Sequence, residues 1–208
     1  MRIRKLTSLS LFIAGIIAVL CSCAVGQELR SEVSIQGTGF FTKDSTDRGL
    51  DHSATDTGGV LAGYRYHVNR WLSAEAVYGW DRSSQVFNSA QGSGRVQADV
   101  HQATGGLVFN VPVPRKFIVR PYVLAEGGAL VFRPTNASGT IPGVEQQAVG
   151  AFVYGGGFDY QLPSLKHIAL RAEYRGYVYN VPDFGLVGLR SDAIAHTAQP
   201  SAGLVYRF

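Results

Sequence analysis

Few side chains in this sequence have the types and spacing that catalysis needs. A hydroxyl nucleophile must sit within reach of a base. His52 and Ser53 are adjacent rather than spaced, His196 is followed by Thr197 with no serine two residues on, and His101 has no serine at that spacing. The run Gly155-Gly156-Gly157 has no following Lys-Ser/Thr and no helix to open, so it fails as a phosphate loop. Glycine in a strand relieves crowding instead. The stretch 43–56 carries Asp44, Asp47, Asp51, Asp56 and His52 without the spacing of a calcium loop, and it reads as a solvated loop.

The remaining chemistry is electrostatic. Arg65, Glu75, Arg120, Glu126, Asp159, Arg171, Glu173 and Arg175 sit inside segments that otherwise alternate apolar and small residues. Each falls on the face opposite the larger apolar side chains. Four are cations and four are carboxylates. A charge in a narrow interior is costly alone and tolerable when paired. The balance therefore predicts one ion-paired cluster.

The elements that must position these charges are strands. After residue 27 no stretch shows a sustained 3.6-residue apolar pattern. Period-two alternation recurs in eight segments, at about 31–42, 57–67, 71–81, 96–110, 117–132, 148–162, 167–179 and 196–208. The connections at 67–70, 111–116 and 162–166 are short. Those at 43–56, 82–95, 133–147 and 180–195 are long and polar. Short turns on one side, long loops on the other and an even strand number are what a bacterial transmembrane barrel requires. The predicted fold is all-β, an eight-stranded antiparallel up-and-down transmembrane β-barrel with both termini on the short-turn side. Eight strands enclose a space that side chains can fill, so the lumen is expected to be plugged rather than open.

The two faces follow. Val60, Ala62, Tyr64 and Tyr66 point to lipid, as do Leu72, Ala74, Ala76, Tyr78 and Trp80. So do Val123, Ala125, Phe152, Tyr154 and Phe158. In the fourth segment His101, Ala103, Gly105, Leu107 and Phe109 are assigned outward, with a bulge before His101. Phe40, Phe41, Trp71, Trp80, Phe117, Tyr160, Tyr177 and Phe208 lie near strand ends and suggest aromatic girdles.

Residues 1–26 have the layout of a cleavable signal peptide: Arg2, Arg4 and Lys5, an apolar run from Leu11 to Leu20, then small residues. Ten apolar residues are half what a membrane-spanning helix needs. A second reading makes Leu20-Cys21-Ser22-Cys23 a lipidation signal on Cys23. Without residues 1–26, Lys+Arg falls from 19 to 16 against 15 acidic residues, so the net charge is +1 rather than +4. A nucleic-acid partner is not expected. Both cysteines leave with the signal, and the barrel domain, 27–208, has none.

The last strand ends "SAGLVYRF", with Ala202, Leu204, Tyr206 and Phe208 on one face. This resembles the insertion signal that the barrel-assembly machinery reads in bacterial outer-membrane proteins. Together with "GYRYHVNRWLSAEAVYGW", "RPYVLAEGGALVF" and "VYGGGFDYQLP", the chain resembles the small OmpA-like and OmpX-like outer-membrane barrels over essentially all of residues 28–208. The resemblance implies an outer-membrane location, contact with outer-membrane lipid and no cofactor. It implies a structural role, or a surface ligand held by the four long loops. The OmpA type usually continues into a peptidoglycan-binding domain, and nothing follows Phe208 here, so a cell-wall tether is not implied. Lipid A deacylases of similar size use a His-x-Ser pair with a carboxylate, which neither His52 nor His196 matches. The expectation is a non-enzymatic barrel, with a lipid-modifying enzyme or a ligand-binding barrel as alternatives.

Overall fold

The computed structural model describes residues 30–43, 45–47, 50–54, 57–89, 92–114, 117–135, 143, 145–186 and 193–208. The expected signal peptide, Cys23, and parts of the loops at 136–142 and 187–192 lie outside them.

Eight strands form the wall: β1 (Ser31–Thr42), β4 (Thr57–His67), β5 (Leu72–Ser89), β6 (Gly92–Asn110), β7 (Val119–Pro134), β8 (Gln147–Gln161), β9 (Ile168–Asn180) and β10 (Ile194–Arg207). Sequential neighbours pair antiparallel, β5 pairs with β6, and β1 pairs with β10, so the sheet closes. The seam is held at its short-turn end by reciprocal backbone bonds, Ser31 N–H to the Phe208 carbonyl and Phe208 N–H to the Ser31 carbonyl.

Register fixes the barrel's shape. Cross-strand partners run from Glu32 through Arg65, Glu75, Gly106, Glu126, Val153, Tyr177 and Thr197, and return to Thr42, ten residues further along β1. With a rise of ~3.3 Å and a strand spacing of ~4.8 Å, that stagger tilts the strands by about 41° and sets a backbone radius of about 8 Å. Such an interior holds side chains and little else.

Alternation decides which side chains enter. On β5, Ser73, Glu75, Val77 and Asp81 are buried, while Ala74, Ala76, Tyr78 and Trp80 are exposed. On β10, Ser201, Val205 and Arg207 are buried while Ala202, Leu204 and Tyr206 are exposed. From Leu72 to Arg82 the outward face climbs about 25 Å along the barrel axis, the height of the apolar band of an outer-membrane barrel. Arg82 and Asp99, paired at 2.6 Å on the outer wall, mark its upper edge.

The structure departs from the sequence reading in four places. First, the stretch 82–95 is not a loop. β5 and β6 continue through it in unbroken register to Ser89 opposite Gly92. Second, the bulge before His101 is absent, because β5–β6 and β6–β7 pair without interruption there. Third, the stretch 43–56 contains a small hairpin, β2 (Ser45–Asp47) and β3 (Leu50–Ala54), and β3 adds to the extension of β5. Fourth, Phe40 and Tyr177 are not girdle residues. Both point inward and are fully buried, with ring centroids 6.3 Å apart.

Candidate functional site: the barrel interior

The interior is stacked in layers, each built by alternate residues of several strands. The lowest complete layer is an ion network. Arg65 on β4 reaches Glu75 at 3.1 Å, Glu32 at 3.5 Å and Glu173 at 3.5 Å. Arg171 on β9 donates to both oxygens of Asp159, at 2.8 and 3.0 Å, and also pairs with Glu32. Arg175 meets Glu173 at 2.6 Å, Glu126 at 2.7 Å and Glu75 at 3.3 Å. Arg207 on β10 bonds Glu32 at 3.0 Å and Asp159 at 2.5 Å. Four guanidinium groups thus serve five carboxylates, all buried. Arginine suits this work because its planar fork satisfies two or three acceptors at once.

Tyr122 completes the layer. Its hydroxyl donates to Glu173 at 2.6 Å, and its ring lies 4.2 Å from the Arg65 guanidinium and 5.3 Å from that of Arg171. Two cations thereby share one aromatic ring. Gly157 opens the space, since a Cβ there would stand 2.8 Å from the Tyr122 hydroxyl. The glycine run rejected above as a phosphate loop supplies room for this ring.

Above the ions sits a second polar belt, in which Asp81 is the acidic member. Gln102 donates to Asp81 at 2.8 Å and accepts from Tyr177 at 2.9 Å and Gln199 at 3.2 Å. Thr197 bonds Thr42 at 2.8 Å and Tyr179 at 3.0 Å. Higher still the lumen turns apolar: Val96, Ala98, Val100, Phe132 and Ala195 pack together. Val181 and Phe184, from the stretch expected to be a polar loop, fold into this end. Phe184 is fully buried against Phe132, edge-on at 6.2 Å. Its φ of 51° is rare for a non-glycine residue. Gln147 holds it there by accepting the Phe184 N–H at 2.7 Å, and Glu145 N–H bonds its carbonyl at 3.1 Å.

At the short-turn end, His67 bridges Ser73 at 2.7 Å and Glu32 at 3.3 Å. A hydroxyl, an imidazole and a carboxylate in that order have the elements of a nucleophile relay. Ser73 has no exposed surface, however, and its hydroxyl also accepts from Asn110 at 2.8 Å. No carbonyl carbon can approach it. His101 and His196 each share a hydrogen bond with a tyrosine on the outer wall, Tyr78 at 2.7 Å and Tyr154 at 2.6 Å. The side chains of His52 and Ser53 lie outside the described residues.

Of the eight charges singled out from the sequence, seven meet in the network. Arg120 does not. It is exposed at the short-turn mouth, and although its cross-strand partner is Asp159, both oxygens of Asp159 are taken by Arg171 and Arg207. Glu32 and Arg207 stand in its place, which makes the network four cations against five carboxylates rather than an even balance, with a further buried carboxylate, Asp81, above it. The same alternation that marked the others marks these two. Ala202, Leu204 and Tyr206 face outward, and Phe208 is half-buried at the seam.

A family model described as "Outer membrane protein beta-barrel domain" matches residues 12–208. Among solved structures, the outer membrane protein OprG of Pseudomonas aeruginosa aligns at TM-score 0.56 and 13% identity, over 88% of this chain and 98% of that one. Neisserial surface protein A aligns at 0.51 and 12%, over 86% and 97%. The outer membrane protein AlkL aligns at 0.50 and 16%, over 89% and 93%. At these identities the likeness is one of fold. No curated protein sequence matches the chain. With the family model running over nearly the whole sequence, and an apolar outer wall closed around buried charge, the protein belongs to the outer-membrane β-barrel family and resides in the Gram-negative outer membrane.

Proposed function

We propose that this protein is a non-enzymatic barrel with a closed lumen, whose role is structural or is exercised on a surface ligand through its extracellular loops. One observation carries the reading. The interior is filled in successive layers, by ion pairs, by a glutamine–tyrosine belt and by an apolar cap over which Phe184 closes. A charged solute would have to break the ion pairs, and a nucleophile would have no open face from which to act.

The outer end supports the surface-binding half of the proposal. β5 and β6 rise beyond Arg82–Asp99 as a two-stranded wall, widened by the β2–β3 hairpin. Rigid strands that stand clear of the membrane are a better platform for recognition than mobile loops. Outer-membrane lipid surrounds the wall, and the barrel-assembly machinery is the proposed partner during insertion, reading Ala202, Leu204, Tyr206 and Phe208.

The test joins planar-bilayer recording with deletion of residues 83–94, which removes the raised hairpin and leaves the belt. The expected result is negligible steady conductance, normal insertion of the deletion variant and loss of cell-surface adhesion or serum-protein capture. Large steady conductance from the intact protein would overturn the closed lumen. A surface phenotype that survives the deletion would overturn the role of the hairpin.

A further inference from the structure

Beneath the ion network the barrel opens into a vestibule of about 1000 Å³, framed by the three short turns. Its charge is one-sided. Arg30, Arg70, Arg120 and Lys166 line it, and among the described residues none of the four makes an ion pair. The carboxylate in its lining, Asp159, is spent on Arg171 and Arg207. Arg120 shows the imbalance most sharply, since it stands beside Asp159 in register and still has no partner. Unpaired like charges gathered around one concavity repel each other, which costs stability unless an anion joins them.

Asn69, Asn110 and Gln161 add neutral polar groups, and much of the remaining lining is apolar. Trp71, Val111, Phe117, Ile118 and Leu162 face the same space. Arg70 lies over the Trp71 ring at 5.3 Å. A small inorganic anion would use the cations and leave this surface bare. A cup of this volume, part cationic and part apolar, fits a ligand with both characters.

We propose that the periplasmic vestibule is a binding site for an amphiphile with an anionic phosphate headgroup. The guanidinium groups would take the phosphate oxygens, and the turn residues would cover the first carbons of the apolar part. Two sources share this chemistry: a phospholipid of the adjoining leaflet and a soluble organic phosphate of the periplasm. This proposal does not depend on the role of the extracellular end, and either can fail without the other.

The chain's two tryptophans provide the readout. Trp71 lines the vestibule and also meets Phe109 of the outer wall, and Trp80 lies at the far rim of the belt, so a Trp80→Phe variant leaves Trp71 as the single tryptophan reporter. The protein, folded in a neutral detergent, is titrated with dihexanoyl phosphatidylglycerol, dihexanoyl phosphatidylcholine and pyrophosphate. Saturable change in Trp71 emission with the glycerol lipid is expected, at an affinity at least tenfold above the choline lipid. Arg120→Gln should lower that affinity about fivefold, near the effect of one basic residue at a lipid surface. Removing all four charges should abolish the preference, and Arg120→Lys should restore most of it. A heat-shifted gel band verifies that each variant is folded. Pyrophosphate binding as tightly as the glycerol lipid would overturn the amphiphile in favour of a soluble phosphate. Equal response to both lipids, or a preference that persists without the four charges, would overturn the site.

Discussion

Arg175→Met tests whether the lumen is dry and its charges interdependent. Arg175 is fully buried and holds three carboxylates, but the loss is not three times that of one pair. Glu75 keeps Arg65 at 3.1 Å, and Glu173 keeps Arg65 at 3.5 Å and the Tyr122 hydroxyl at 2.6 Å. Glu126 keeps only the Thr104 hydroxyl at 2.7 Å. The variant therefore strips one carboxylate of its cation, and five carboxylates then face three cations. Breaking a buried pair from one side costs about 3–5 kcal/mol, and the expected destabilisation lies in that range. Adding Glu126→Gln removes that charge, so the double variant should be more stable than the sum of the two single losses, by a coupling of about 1–3 kcal/mol. The measurement is urea unfolding of barrels refolded into phospholipid vesicles, followed by tryptophan emission. Arg82→Gln, which breaks the exposed pair on the outer wall, is the control and should leave the midpoint unchanged. Additive effects, or an Arg175→Met midpoint equal to that of the control, would mean that water already solvates these charges, and the packed interior would be refuted.

Three further outcomes follow from the same structure. Tyr122→Phe keeps the ring between Arg65 and Arg171 but removes the bond to Glu173, so it should cost about 1–3 kcal/mol in the same urea assay, less than Arg175→Met. Phe184→Ser should loosen the outer cap and leave the ion network in place, giving brief conductance bursts in planar bilayers together with a lowered unfolding midpoint, since truncating a buried phenylalanine costs about 3–5 kcal/mol. Deleting Phe208 should lower the amount of barrel in outer-membrane fractions severalfold, while the barrels that do assemble keep nearly the wild-type heat shift on gels.

The architecture was legible because a membrane barrel writes itself into the sequence twice, as alternation and as loop length. Val60 to Tyr66 and Leu72 to Trp80 carry both marks, and the structure places them on the wall as read. The signal failed where one of its physical causes was missing. From Arg82 to Arg95 the run Arg-Ser-Ser-Gln-Val-Phe-Asn-Ser-Ala-Gln-Gly-Ser-Gly-Arg has no apolar alternation, so the strands extend through 82–95 without an apolar face to announce them. Alternation also says which way a residue points but not how high it sits. Arg120 shares its parity with Tyr122 and Glu126, yet it stands one step too low to join them. Height follows from the stagger of the whole barrel, which no single strand contains. Phe40 and Tyr177 misled for a related reason, since an aromatic near a strand end serves a girdle or a cap depending only on the face it occupies. Phe184 left no periodic trace, because it enters the core from a turn.

The seam between β1 and β10 has a consequence for how the barrel comes to be closed correctly. Glu32 and Arg207 are 175 residues apart in the chain, so their bond waits for the last strand to arrive. Suppose that strand docks one residue out of alignment. Every side chain on it then exchanges faces. Arg207 would enter lipid at a cost of about 2–4 kcal/mol near the midplane and less toward the rim. Leu204 and Tyr206 would be pressed among carboxylates, and Glu32 and Asp159 would each lose a cation. The network thus works as a proofreading device. It leaves a misaligned closure short of its charges, free to reopen, and lets the interior dry only when the first and last strands agree.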